Sequence, residues 1–251
     1  MRNSREAKAD SHFSCSDSER AAFEAGIKIG TIYHQFVGVP LSAENVDTLE
    51  RAIEAGVKIL GENYPEEGVT KIQSIAENSA VEWHMIGHVQ SRKARLVADH
   101  FALLHSLDSL KLAQRLNRFA GERNHILPVL LEFNVGGEAS KFGWNVSNES
   151  ELDAALPEIA SLLDLPNLWV HGLMTMPPLG TEPEDSRRFF QRLRLMRDHL
   201  AAQFSGADWH ELSMGTSADY NVAVEEGATL VRVGTAIVGV RSYKSDAERE
   251  A

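Results

Sequence analysis

From Val57 onward the chain alternates short apolar runs with amphipathic stretches, and this rhythm constrains the fold more than any other feature. Strands are expected at Val57–Leu60, Val81–Gly87, Phe101–Leu107, Ile126–Val135, Leu168–Met176, Trp209–Met214 and Leu230–Val238. Between them, helices are expected over Glu66–Asn78, Ser91–Asp99, Ser109–Arg123, Glu149–Leu163, Pro183–Phe204 and Ala218–Glu226. Apolar runs bounded by polar turns and separated by helices indicate βα repeats around a parallel sheet buried on both faces. A closed (β/α)8 barrel needs eight strands, and a chain of 251 residues has the usual length of one. Only seven are found here, so the eighth must come from the first 56 residues. The expected fold class is therefore α/β, a (β/α)8 TIM-type barrel whose first βα unit is altered or replaced.

That first region carries conflicting signals. Ala22, Ala25, Ile29, Ile32 and Phe36 step by three and four, which is helical spacing, although Gly26 and Gly30 weaken such a helix. A short strand over Phe36–Leu41, interrupted by Pro40, then leads to Ser42 as N-cap of a helix reaching Ala55, with Gly56 as its stop. The expected organisation is a disordered tail over 1–17, an atypical helix, strand and helix over 18–55, the barrel over 56–241, and a second tail over 242–251.

Composition narrows the function. The formal net charge of -11 argues against nucleic acid or an anionic membrane surface as a main partner. No apolar run approaches the roughly 20 residues that span a bilayer, and the start lacks a secretory apolar core. Cys15 is the only cysteine, so no intrachain disulfide can form, and a reducing cytoplasm is the expected location. Monomer and homo-oligomer are both compatible with this composition.

The candidate chemistry lies near the C-terminal ends of the strands, where such barrels place their sites. The strongest signal is the small, hydroxyl-rich turn Ser213-Met214-Gly215-Thr216-Ser217, followed by Arg232 and Gly234-Thr235 in a late β-branched strand. Amide hydrogens and hydroxyls at a helix start suit a phosphate, and a buried arginine must find acceptors. The alternative is two tight turns. Asn63, after the Val57–Leu60 strand, either meets a ring substituent of a ligand or caps a helix. Glu132, Asn134, Glu138 and Lys141 sit on and after one strand, where Glu and Lys act as an acid and base or form a loop salt bridge. Met174 and Met176 are either core residues or a ring-contacting wall. His84 and His88 are four apart, but on a strand that spacing does not align them, so no metal is expected and His84 reads as a pocket wall.

Taken in order, several motifs resemble the pyridoxal phosphate homeostasis proteins, single-domain relatives of the alanine racemase N-terminal barrel. They are Gly61-Glu62-Asn63-Tyr64, the run Trp83 to Lys93, Lys141-Phe142-Gly143, Gly172-Leu173-Met174, the run Leu212 to Asp219, and Val231 to Ile237. They span roughly residues 53 to 240. The resemblance implies a pyridoxal 5'-phosphate-binding protein of intracellular cofactor homeostasis, without robust catalysis. It further implies that Ser213, Met214, Ser217, Gly234 and Thr235 hold the phosphate region, Arg232 faces the pyridine nitrogen, and Asn63, His84 and Met174 lie about the ring. The family's first strand ends in a Schiff-base lysine; here Leu41 or Ser42 stands at that place. The remaining candidates are Lys28, Lys58 and Lys141, of which Lys141 is the one placed after a pocket strand.

Residues 18 to 54 instead resemble the opening of archaeal-type dihydroneopterin aldolases, with Tyr33, His34 and Gln35 as the residues that would surround a pterin. A third reading is non-enzymatic: a defective barrel or chimera whose N-terminal helix offers Ile29, Ile32, Phe36 and Val37 as an oligomerisation patch.

Overall fold

The structure, a computed structural model, describes residues 28–29, 32–33, 43–75, 81–178 and 182–234. Its elements run β1 (Lys28–Ile29), β2 (Ile32–Tyr33), α1 (Ala43–Glu54), β3 (Ile59–Glu62), α2 (Pro65–Ser74) and β4 (Glu82–Met85). There follow α3 (Ala94–His100), β5 (Leu103–Leu107), α4 (Leu110–Glu122), β6 (Leu127–Asn134), β7 (Trp144–Asn145) and α5 (Glu149–Leu163). The last are β8 (Leu168–Met174), α6 (Arg187–Gln203), β9 (Glu211–Thr216), α7 (Tyr220–Glu225) and β10 (Leu230–Arg232). Short 3-10 turns at Ser91–Lys93 and Pro183–Ser186 lead into α3 and α6. Every expected strand and helix from Val57 to Leu230 has its counterpart, although the expected ends at Asn78 and Val238 lie outside the described residues.

All strand pairings are parallel, in the order β1-β10-β9-β8-β6-β5-β4-β3-β2, with β7 beside β6. Lys28 pairs with Leu230 and Ile29 with Val231, whereas Ile32 pairs with Leu60 and Tyr33 with Gly61. One stretch of chain thus meets both ends of the sheet, and eight strand positions run nearly round a barrel.

This corrects the expected helix at Lys28–Ile29 and Ile32–Tyr33; the rest of Ala22–Phe36 lies outside the described residues. The β-branched residues Ile27, Ile29, Thr31 and Ile32 favour an extended chain, and two glycines each cost a helix about 1 kcal/mol. The paired backbone outweighs a three-and-four spacing. Ile29 and Ile32 therefore belong to a barrel wall and not to a helical oligomerisation patch. The expected strand over Phe36–Leu41, the Ser42 cap and both expected tails lie outside the described residues.

Alternation along the strands divides the core in two. Leu60, Trp83, Met85, Leu104, Leu131, Phe133, Leu212 and Val231 pack outward with helix residues such as Leu112, Leu116, Ile159, Phe190 and Leu193. Each such side chain stabilises the fold by about 1.5–3 kcal/mol on burial. Leu103, Leu130, Met174 and Leu230 form a separate, smaller cluster. They lie on the opposite face of the same strands, so they fill the barrel interior and make a floor beneath the strand ends.

Candidate functional site

Two residues beyond that floor, β10 places Arg232 in the same lumen, where it is 1% exposed. One guanidinium nitrogen donates to Ser213 Oγ at 2.6 Å and the other to the Thr175 carbonyl at 2.9 Å. Ser213 Oγ also lies 2.8 Å from His105 Nδ1, and His105 Nε2 lies 3.0 Å from His84 Nδ1. Arginine only donates, so the Ser213 hydroxyl passes its proton toward His105 Nδ1. With that hydrogen on Ser213, a neutral His105 donates from Nε2 to His84 Nδ1. Burial above all, with the Arg232 charge nearby, holds His105 well below the usual imidazole range. Four strands are tied across the lumen by this chain of contacts.

The two late loops meet above it. Ser217 Oγ accepts from Gly234 N–H at 3.0 Å, so the β9 turn and the end of β10 share one small region. Asp219 braces the turn, accepting from the Thr216 amide at 2.7 Å and its hydroxyl at 3.1 Å. Gly215 has φ +91°, and a Cβ there would lie 2.5 Å from that of Ala223. Glycine is what lets β9 turn tightly into α7.

On the far side, Asn63 and Glu132 face the opening. Tyr64 holds the N-cap position of α2, which leaves Asn63 free of that role. Asn63 Nδ2 and Glu132 Oε2 are buried with no hydrogen-bond partner among the described residues. Burial first, then the Asp108 charge, raises the Glu132 carboxyl to about 7, against the opposing pull of Arg232 and Lys141. Two buried polar atoms without partners are costly unless something polar visits them. Beside Asn63 opens a cavity of about 320 Å³ bordered by Tyr64, Gly87, His88, Gln90, Lys93 and Phe142. Phe142 stacks on His88 at 3.6 Å and nearly parallel, and His88 pairs with Asp108 at 2.8 Å. The Lys141-Phe142-Gly143 segment can fold back onto β6 because residue 143 is glycine: at φ +93° a Cβ there would lie 2.4 Å from the Glu132 carbonyl oxygen.

The structure therefore brings together Ser213, Arg232, His84, Ser217 and Gly234, with Met174 in the floor below and Asn63 at the lip. Met214 is a correction: its side chain points outward into the core beneath the helices, because it alternates with Ser213. Thr235 lies outside the described residues. Lys141 sits on the half-buried loop after β6, where its charge acts on Glu132. His84 and His88 diverge, one bonded inside the lumen and the other paired to Asp108. The sequence reading missed His105, although a His-Ser pair inside the apolar run Leu103–Leu107 signals buried polar groups that need partners.

A pyridoxal phosphate homeostasis protein of Vibrio alginolyticus is 43% identical over 202 residues, covering 79% of this chain and 83% of the relative. One from Aquifex aeolicus is 40% identical over 197 residues, covering 78% and 83%. This chain belongs to the pyridoxal phosphate homeostasis protein family. Among solved structures of similar shape is PipY of Synechococcus elongatus, known without and with pyridoxal phosphate bound. The form without ligand superimposes with a TM-score of 0.74 at 32% identity, covering 88% of this homeostasis-family chain and 99% of PipY. An alanine racemase of Clostridium difficile, at 20% identity and TM-score 0.67 over 91% of this chain and 58% of its own, shares the barrel fold. A family model described as dihydroneopterin aldolase matches residues 16–74, which includes the stretch that supplies β1 and β2.

Proposed function

We propose that this protein binds pyridoxal 5'-phosphate at the C-terminal mouth of its barrel and serves intracellular homeostasis of that cofactor in the cytoplasm, without robust catalysis. The observation that carries the reading is the convergence of the Ser217–Gly234 contact with the buried Arg232–Ser213 pair, beside the polar atoms of Asn63 and Glu132 that lack partners among the described residues. The bound cofactor would supply an aldehyde on an electron-withdrawing ring. Ser217 and the amides around Gly215 and Gly234 hold its phosphate, Asn63 contacts the ring from the lip, and Arg232 faces the ring nitrogen. Arginine cannot accept a proton, so that nitrogen stays unprotonated and the ring is a weak electron sink. Binding without fast turnover is the consequence.

Lys141 is the amine proposed to reach the mouth, in place of a first-strand lysine. Titration with pyridoxal 5'-phosphate, followed by absorbance, should give saturable one-to-one binding that inorganic phosphate competes away. Ser217→Ala should weaken it about tenfold, since a hydrogen bond to a charged group contributes about 1.5–3 kcal/mol. Absence of saturation in the intact protein would end the proposal. Borohydride reduction and peptide mapping then report whether Lys141 or another lysine joins the ligand. The match over residues 16–74 favours one second reading, a dihydroneopterin aldolase, which predicts glycolaldehyde release from dihydroneopterin and fails if the intact protein releases none.

A further inference from the structure

We propose that His171, Asp208 and His210 form a binding site for a divalent transition metal of the zinc type, on the barrel end opposite the cofactor mouth. One ligand atom from each residue lies within 4.8 Å of the other two. Backbone register creates the cluster. Gly172 pairs with Glu211, so the residues just before them, His171 and His210, come to the same level on adjacent strands. His171 is also the extra residue of a bulge, because Val129 pairs with Val170 but Leu130 pairs with Gly172. Bulges re-aim a side chain, and here the ring lands 5.6 Å from that of His210, with Trp169 packed edge-on against it at 4.0 Å.

The donor set selects the metal. Two imidazoles and one carboxylate are borderline donors that suit zinc in a tetrahedral site with a fourth position for water. His210 is 53% exposed and Asp208 34%, so an ion has a path from solvent. His210 Nδ1 lies 2.5 Å from Asp208 Oδ1, and a metal would take the place of the proton shared there. His210 Nε2 lies 3.2 Å from the Glu211 carboxylate, which is 6% exposed. A carboxylate on the second ring nitrogen orients a liganding histidine and strengthens it as a donor. The ion would clasp the middle of β8 to the entry of β9. Sequence spacing gives no hint of it, because His171 is remote from the Asp208-x-His210 pair and only the fold joins them.

The test uses the full chain, stripped with a chelator and titrated with zinc in competition with a chromophoric chelator. One zinc per chain is expected, with a rise in Tm on saturation. His210→Ala and Asp208→Asn, both near the surface, should each weaken binding at least tenfold and abolish the zinc-dependent rise. Neither should alter the titration with pyridoxal 5'-phosphate, which separates this inference from the cofactor reading. His171→Ala disturbs a bulge inside β8, so it is not relied on. Zinc binding of equal affinity and stoichiometry in wild type and both variants would overturn the proposal, as would the absence of stoichiometric binding in wild type.

Discussion

Glu132 and Arg232 are the two ionisable side chains whose burial matters most, and they differ in how their charge is met. Arg232 keeps its charge because Ser213 Oγ and the Thr175 carbonyl accept from it. Glu132 has one carboxylate oxygen buried without a hydrogen-bond partner among the described residues, and burial lifts its titration to about 7. The buried Glu62, bonded to Lys71 at 2.6 Å behind the sheet, is also raised to about 7, because burial outweighs the pull of its partner. A raised carboxyl binds its proton more tightly in the folded chain than in the unfolded one. The stability it contributes is complete below the ordinary carboxylate range and is lost as pH rises toward 7. For each group this amounts to at most about 3 kcal/mol. Urea midpoints should therefore fall between pH 5 and pH 7.5, and Glu132→Gln should remove about half of that fall. A variant with the slope of wild type would show that Glu132 is ionised throughout.

Elements were legible wherever a single buried face set their period. The long helix α5 was expected over Glu149–Leu163 and is found there, capped by Asn148 accepting from the Glu151 amide at 3.0 Å. Strands β5, β6 and β8 are apolar enough on both faces to stand out, as a parallel sheet requires. Strands β1 and β2 were not legible, because Ile29 and Ile32 fit helical spacing and their β-sheet partners, Val231 and Leu60, lie far along the chain. Within the site, Ser213 and Arg232 were legible from their own chemistry. His105 and the outward turn of Met214 depended on strand alternation, which fixes a side chain's face only once the strand's register is known. One consequence belongs to the β9–α7 turn. Gly215→Ala adds a Cβ that would meet Ala223 and Tyr220 at a positive φ, and should destabilise the fold by about 2 kcal/mol. It should also weaken cofactor binding, since Thr216 and Ser217 shift with the turn; unchanged stability and affinity together would show that the turn accommodates a side chain.

At the level of the whole molecule, the barrel is a homeostasis-family scaffold whose two edge strands, β1 and β2, come from the part matched by an aldolase model. Lys28–Ile29 pair with β10 and Ile32–Tyr33 with β3, next to both halves of the proposed site. Proline is poorly accommodated in a paired strand, so a proline at Ile29 or at Ile32 should cost more than about 1 kcal/mol. Thermal melting should show the loss, and cofactor affinity should fall with it if the wall supports the mouth. Among the described residues, no helix is long and apolar enough to cross a membrane. The most direct test of the account is a crystal structure of the protein soaked in pyridoxal 5'-phosphate. The predicted result is a phosphate between the 215–217 turn and Gly234, with the ring nitrogen toward Arg232. Cofactor found only on surface lysines, with those two loops empty, would contradict it.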